Sequence, residues 1–205
     1  MKKYIAKKVD SPMSITDKRW EKAPKGELDQ VWEDYYPSPY KTDFRIVHNK
    51  DGLTVKLTTT EWPLRVECVS RNQEVCEDSC MEFFLTPNSK DENYFNIEVN
   101  AIGISLVGIG PGRAGRRKLN IANSGIEIQT LIHPEEGWEL MYTLPYSYMK
   151  KHFGSIEGTM RANFYKIGNA TARKHYSVWN KQELELPDFH HPEFFGVIEL
   201  VDELV

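Results

Sequence analysis

Residues 80–100 read CMEFFLTPNSKDENYFNIEVN, and this stretch decides the fold class. Two runs of alternating character, Cys80–Thr86 and Tyr94–Asn100, flank the segment Pro87-Asn88-Ser89. Alternation with a period of two is typical of a β-strand, and proline and asparagine between two such runs mark a break in the chain. The stretch therefore predicts two strands joined by a turn region.

The same strand signals recur along the rest of the chain. Further predicted strands are Asp43–Asn49, Leu53–Thr60, Ile102–Ile109, Gly125–Ile132, Trp138–Leu144, Thr159–Ile167, Lys174–Asn180 and Phe195–Leu200. Only Pro145–Phe153 is predicted to be helical, because proline begins it and Gly154 follows its end. About ten short strands separated by turns are typical of an all-β sandwich. We therefore predict one domain over residues 1–205, a two-sheet antiparallel β-sandwich of jelly-roll type with one short helix.

Composition excludes several classes of partner. The formal net charge of −4 disfavours nucleic acid, and no apolar run is long enough to span a membrane. The N-terminal lysines are not followed by the apolar region of a signal peptide, which predicts a cytoplasmic protein. Three cysteines, an odd number, are predicted to be thiols: Cys68, Cys76 and Cys80.

The predicted strands divide into two sets of side chains. One set is apolar, as in Phe95, Ile97 and Val99, and the other carries planar hydrogen-bonding groups and aromatic rings. The second set comprises Glu82, Glu98, Asn100, Arg161, Asn163, Tyr165, His175 and Trp179. A polar face exposed to water is one interpretation. Sugar binding is the other, because hydroxyls match such polar groups and the sugar ring stacks on an aromatic side chain.

Other patterns carry less weight. Gly110-Pro111-Gly112-Arg113-Ala114-Gly115 has the spacing of a dinucleotide fingerprint, but no helix is predicted after it. We interpret this region as a mobile basic hairpin loop, whose arginines are either solvated or in contact with an acidic ligand. The cysteine spacing fits a zinc site poorly. Glu82 and Glu98 leave a glycoside hydrolase open as an alternative function.

Five segments in order carry a resemblance to a known family. They are Glu77–Leu85, Tyr94–Gly103, Arg161–Lys166, His175–Trp179 and Asp188–Gly196. Over residues 10–200 the chain resembles the family 9 carbohydrate-binding modules, especially free-standing bacterial proteins similar to them. The resemblance implies a β-sandwich, a sugar held between two tryptophans, structural calcium, and a link to carbohydrate catabolism.

The resemblance also assigns roles to residues. Trp179 stands where the second tryptophan is expected, and Asn163 near a polar sugar contact. Cys76 or a neighbour stands where the first tryptophan would lie, and Trp62 is a substitute for that ring. Glu98 stands where related modules carry a basic sugar contact. We therefore predict non-catalytic binding of a mono- or oligosaccharide.

The predicted site is built around one aromatic ring. The sugar is expected to stack on Trp179, flanked by Arg161, Asn163, Tyr165 and His175. Glu82, Glu98 and Asn100 complete the predicted set of ligand-binding residues on the same sheet face.

Overall fold

The computed structural model describes residues 1–205, and its β-rich architecture confirms the predicted fold class. Its strands are β1 (Lys3–Lys8), β2 (Gly26–Glu27), β3 (Thr42–His48), β4 (Gly52–Thr59), β5 (Cys80–Thr86), β6 (Tyr94–Asn100), β7 (Ser105–Gly110), β8 (Arg117–Lys118), β9 (Ile128–His133), β10 (Gly137–Pro145), β11 (Thr159–Gly168), β12 (His175–Val178) and β13 (Gly196–Leu204). The one α-helix, α1 (Tyr146–Phe153), lies where the sequence predicts it. It is not long and apolar enough to cross a membrane.

The strands follow one continuous path. The order is β8-β7-β6-β5-β11-β13-β1-β3-β4-β10-β9, with β12 beside β11 and β2 beside β3. All pairs are antiparallel except those of β1, which runs parallel to both β13 and β3. The expectation of purely antiparallel sheets is therefore wrong at this connection, where the N-terminal strand joins the two halves of the path.

The two halves pack face to face around one large apolar core. Phe44 of β3 stacks on Phe164 of β11, with ring centroids 3.7 Å apart. Phe164 in turn stacks on Phe83 of β5 at 4.5 Å. Helix α1 packs against this core through Phe153, whose ring meets Phe95 edge-on at 4.8 Å. Burial of these rings is the main favourable term in the stability of the fold.

The opposite face of β5, β6 and β11 is covered as well. We call residues 187–195 the cover segment, which includes a 3-10 turn at Pro192–Phe194. Phe189 of this segment packs with Phe84 and Tyr165 of the sheet in a second apolar cluster. Every residue of β5 and β6 is consequently buried. The polar set of these strands therefore faces protein and an enclosed pocket, and the interpretation as a solvated face is wrong.

Candidate ligand pocket

A pocket of about 140 Å³ opens on this covered face. It lies between β5, β6, the cover segment and the loop of residues 111–116, which we call the arginine loop. The side chains that define it are Glu82, Glu98, Arg116, Tyr176, Phe189 and His190. The pocket thus combines charged groups with aromatic rings.

Two carboxyl groups form its floor. Glu82 and Glu98 are directly opposite each other in the antiparallel pair of β5 and β6, so both side chains point to the same face. They are only 3% and 4% exposed. Burial raises the pKa of Glu98 to about 7. Burial, followed by the charge of Glu98, raises the pKa of Glu82 well above its usual range.

The two acids differ in their partners. Glu98 Oε1 accepts hydrogen bonds from Asn96 Nδ2 at 2.7 Å and from Arg116 Nη1 at 3.2 Å. No protein donor contacts the carboxyl group of Glu82, which lines the pocket. A buried carboxyl without a partner is costly unless something else pairs with it. Glu82 is therefore the group in the pocket that a ligand would satisfy.

A neutral histidine holds Arg116 in place. Arg116 Nη1 lies 3.2 Å from His190 Nε2, which must therefore act as acceptor. The proton then sits on His190 Nδ1, which donates to the Tyr94 hydroxyl at 2.7 Å. Burial, with the charges of Arg116 and Arg113, lowers the pKa of His190 to about 3. The ring stays neutral and orients the guanidinium toward Glu98.

The arginine loop reaches the pocket because its hairpin is tight. A Cβ atom on Gly110 would lie 2.6 Å from Arg116 Cα, so the two sides of the loop can approach only with glycine there. At the mouth, Arg113 Nη2 donates to Asp188 Oδ1 of the cover segment at 2.8 Å. The glycine at the start of the fingerprint-like spacing therefore shapes a loop that places Arg113 and Arg116 in the pocket lining.

Aromatic rings line the other side. Phe189 stacks on Tyr165 at 4.1 Å between centroids, and the Tyr165 hydroxyl donates to the Phe189 carbonyl at 3.1 Å. Tyr176 is half-buried, and its hydroxyl donates to Asn169 Oδ1 at 2.7 Å. Tyr36 meets Tyr176 edge-on at 6.3 Å. Tyr176 is consequently a ring that combines access to the pocket with a fixed orientation.

The structure corrects the expected orientation of Trp179. Its side chain is only 3% exposed and meets Phe44 edge-on at 5.3 Å within the main core. A Cβ atom on Gly196 would lie 2.6 Å from the indole, so the ring is enclosed on that side too. A sugar cannot stack on this ring while the core is intact.

The register of β12 explains the correction. Val178 pairs with Tyr165 and Tyr176 pairs with Ile167 across β11 and β12. Directly paired residues share a face, so Tyr176 and Val178 point toward the second cluster and the pocket. Trp179, expected on the ligand face, therefore points into the main core.

His175 belongs to a buried ion-pair network. Lys166 Nζ lies 2.9 Å from Glu61 Oε2 and 2.9 Å from His175 Nε2. Trp138 Nε1 donates to Glu61 Oε2 at 3.1 Å. Burial and the Lys166 charge lower the pKa of His175 to about 4. The neutral ring therefore accepts a hydrogen bond from Lys166 through Nε2. Its position is internal and separate from the pocket.

The remaining predicted residues hold loops. Asn163 exchanges hydrogen bonds with the Asn180 backbone at 2.9 and 3.0 Å. Asn100 Nδ2 donates to Asp78 Oδ2 at 3.0 Å. Arg161 donates to the Pro192 carbonyl. Of the eight predicted residues, only Glu82 and Glu98 line the pocket, and Trp62 lies outside its lining.

No three His, Cys, Asp or Glu side chains come together to hold a metal ion. Calcium prefers six to eight oxygen ligands. The buried carboxylate of Asp78 already accepts from the backbone N–H groups of Glu67 and Cys68, both at 2.9 Å. The calcium implied by the family resemblance finds no carboxylate cluster here and stays a prediction. The three cysteines are unpaired.

Comparisons with known proteins give one consistent picture. The chain matches the family model for carbohydrate-binding family 9 over residues 16–200. A candidate carbohydrate-binding protein from Bacteroides uniformis is similar in structure, with a TM-score of 0.82 and 27% sequence identity over 98% of this chain and 99% of the other. No curated protein matches the chain by sequence.

Two further structures are of a family 9 module from Caldicellulosiruptor kristjanssonii. The complex with glucose has a TM-score of 0.72 at 13% identity, covering 98% of this chain and 97% of the module. The complex with cellotriose has a TM-score of 0.71 at 12% identity, covering 98% and 95%. At this identity the likeness is one of fold.

Proposed function

The chain belongs to carbohydrate-binding family 9, and on that premise we propose that it binds a mono- or oligosaccharide, without catalysis, in the pocket floored by Glu82 and Glu98. The observation that carries the proposal is that buried polar groups and the half-buried ring of Tyr176 line one concave site. Ligand pockets commonly combine a few convergent polar groups with apolar walls. A role in carbohydrate catabolism is part of the same proposal.

Each wall has a distinct part in this binding. The carboxyl groups of Glu82 and Glu98 accept from sugar hydroxyls, while Arg116 donates to a hydroxyl or ring oxygen. Tyr176 and Phe189 supply the apolar surface against which the C–H face of a sugar packs. The glucose and cellotriose complexes of a family 9 module with the same fold support a sugar as the general ligand class.

A glycoside hydrolase is the second candidate because two buried acids with raised pKa values lie side by side. Hydrolysis needs two carboxyl groups that flank the scissile bond, one as acid and one as base or nucleophile. Glu82 and Glu98 are directly opposite each other in the register of adjacent strands. The match to a carbohydrate-binding family favours binding over cleavage.

A matched pair of arginines tests the site. Arg116 contacts Glu98 inside the pocket. Arg117, the next residue in sequence, lies in β8 and is exposed. We expect Arg116→Ala to weaken sugar binding by about 10-fold or more, since hydrogen bonds from charged groups contribute roughly 1.5–3 kcal/mol. Arg117→Ala should leave binding unchanged. Calorimetric titration with a panel of mono- and oligosaccharides measures both.

The outcomes separate the two functions. Equal weakening by both substitutions would contradict the pocket as the binding site. Hydrolysis of a chromogenic glycoside that is lost in both Glu82→Gln and Glu98→Gln would favour the enzyme instead. Binding without hydrolysis supports the proposal.

A further inference from the structure

We propose that the pocket prefers sugars that carry a free amino group, with the ammonium seated between Glu82 and Glu98. This inference rests on the proposed function and specifies the class of sugar. It follows from the carboxyl group of Glu82, which has no partner within the protein.

The other charged groups around the pocket already have partners. Arg116 pairs with Glu98 at 3.2 Å, and Arg113 pairs with Asp188 at 2.8 Å. Glu74, at the rim, pairs with Lys118 at 2.7 Å. Glu82 is left over, a 3% exposed carboxyl group that lines the pocket and has no protein donor. A ligand with one positive charge would pair with this carboxyl group.

An ammonium group matches the unpaired carboxyl group of Glu82 better than a hydroxyl does. Glu82 and Glu98 are directly opposite each other on adjacent strands, and the charge of Glu98 destabilises the ionised form of Glu82. A hydroxyl donates one hydrogen bond and brings no charge to stabilise the ionised form of Glu82. An ammonium has three donors and a positive charge, so it can bridge both carboxylates. A uronic acid would add a third carboxylate and be repelled.

The surrounding cations do not already provide this compensation. Arg116 and Arg113 lower the pKa of Glu82, and so does Lys166, yet its overall shift remains upward. Lys166 is itself paired with Glu61 inside the protein. Burial and the charge of Glu98 therefore favour the protonated form of Glu82. Binding of an ammonium should release that proton to solvent.

Sugars matched in shape but not in charge test the inference. Glucosamine, glucose and N-acetylglucosamine form one series, and the corresponding galactose compounds form a second. We expect the amino sugar of the preferred series to bind about 10- to 100-fold more tightly than its hydroxyl and acetylated counterparts in calorimetric titrations of the unmodified protein, in the range expected for a charged hydrogen bond. Ethanolamine, a cation without a sugar ring, should bind far more weakly.

One substitution links the preference to Glu82. Glu82→Gln should bring the ratio of amino-sugar affinity to neutral-sugar affinity close to one. Glu199→Gln removes a carboxylate on β13 that pairs with Lys3 of β1, and it should keep the preference. A thermal melt of each variant checks that it is folded, and the ligand comparison on the unmodified protein stands without either variant.

The failures are distinguishable. Equal or tighter binding of the neutral sugar would overturn the amino-sugar inference while the sugar-binding function stands. Ethanolamine bound as tightly as the amino sugar would also overturn it, because the site would then recognise only a cation. If no sugar of either series or of the oligosaccharide panel binds, the proposed function itself fails.

Discussion

Among single residues, Glu82 shows how burial and like charge act together. Its pKa is raised by burial and then by Glu98, whereas Arg116, Arg113 and Lys166 act in the opposite direction. A carboxyl whose pKa is raised by folding binds protons more strongly in the folded state than in the unfolded state. Such a group lowers the free energy of unfolding as the pH rises above the unfolded-state pKa.

Glu82→Gln should therefore stabilise the ligand-free protein at high pH. We expect the free energy of unfolding to rise at pH ~8 and to change little at pH ~4, where the Glu82 carboxyl group is largely protonated in both states. Urea denaturation at the two pH values measures this difference. A variant that is less stable than the parent at the higher pH would contradict the assignment of Glu82 as an unpaired acid.

Strand alternation could predict which residues of β5 and β6 share a face, and so placed Glu82 and Glu98 together. It could not predict the same for Trp179, because a face depends on register with a neighbouring strand. That register, with Tyr176 opposite Ile167, follows from long-range pairing of β12 with β11. Tyr176 carried no local signal that would distinguish a pocket wall from a core ring.

Among elements, the arginine loop is the part of the site that depends most on backbone geometry. Its close approach at Gly110 places Arg116 above Glu98. The sequence signal for this loop was the glycine spacing, which indicated a hairpin without indicating where its arginines would lie. Hydrogen bonds to the cover segment, which is distant in sequence, decide that position.

Gly110→Ala should displace the loop and weaken sugar binding by about 10-fold or more, since a Cβ at 2.6 Å from a backbone atom forces a shift. Gly158→Ala is the matched control, because a Cβ there has no neighbour within 4 Å. Titration with the preferred sugar and a thermal melt compare the two variants. Unchanged binding in Gly110→Ala would contradict the role of the loop.

Secondary structure was predictable where the alternating pattern was long. Strands β5 and β6 match their predicted bounds, and helix α1 lies within its predicted segment. Strand β1 was not predicted, because half of its sequence KYIAKK is lysine and it shows no sustained alternation. Parallel pairing with β13 and β3, at the opposite end of the chain and beyond a long connection, gives it its structure.

For the molecule as a whole, the network of Glu61, Lys166, His175 and Trp138 ties the two halves of the sheet path together. Lys166 on β11 contacts Glu61, and Trp138 on β10 donates to the same carboxylate. Lys166 is completely buried, so its charge depends on that one partner for compensation. Sequence patterns placed Lys166, His175 and Trp138 on separate predicted strands and could not show that they meet at Glu61.

Lys166→Met should lower the free energy of unfolding by about 3–5 kcal/mol, because Glu61 would remain as a buried charge without its partner. Lys8→Met, which breaks an exposed pair with Asp202, should cost no more than about 1 kcal/mol. Denaturant unfolding of both variants measures the contrast. Equal, small losses would show that the buried pair contributes little to stability.

The central claim is that a sugar binds in the pocket between the carboxyl groups of Glu82 and Glu98 and the ring of Tyr176. A crystal structure of the protein with the tightest sugar from the titrations tests it most directly. The account predicts a sugar ring against Tyr176, with its polar groups contacting Glu82, Glu98 and Arg116, and with Trp179 still enclosed in the core. A sugar bound at another surface, or stacked on Trp179 in an opened core, would contradict it.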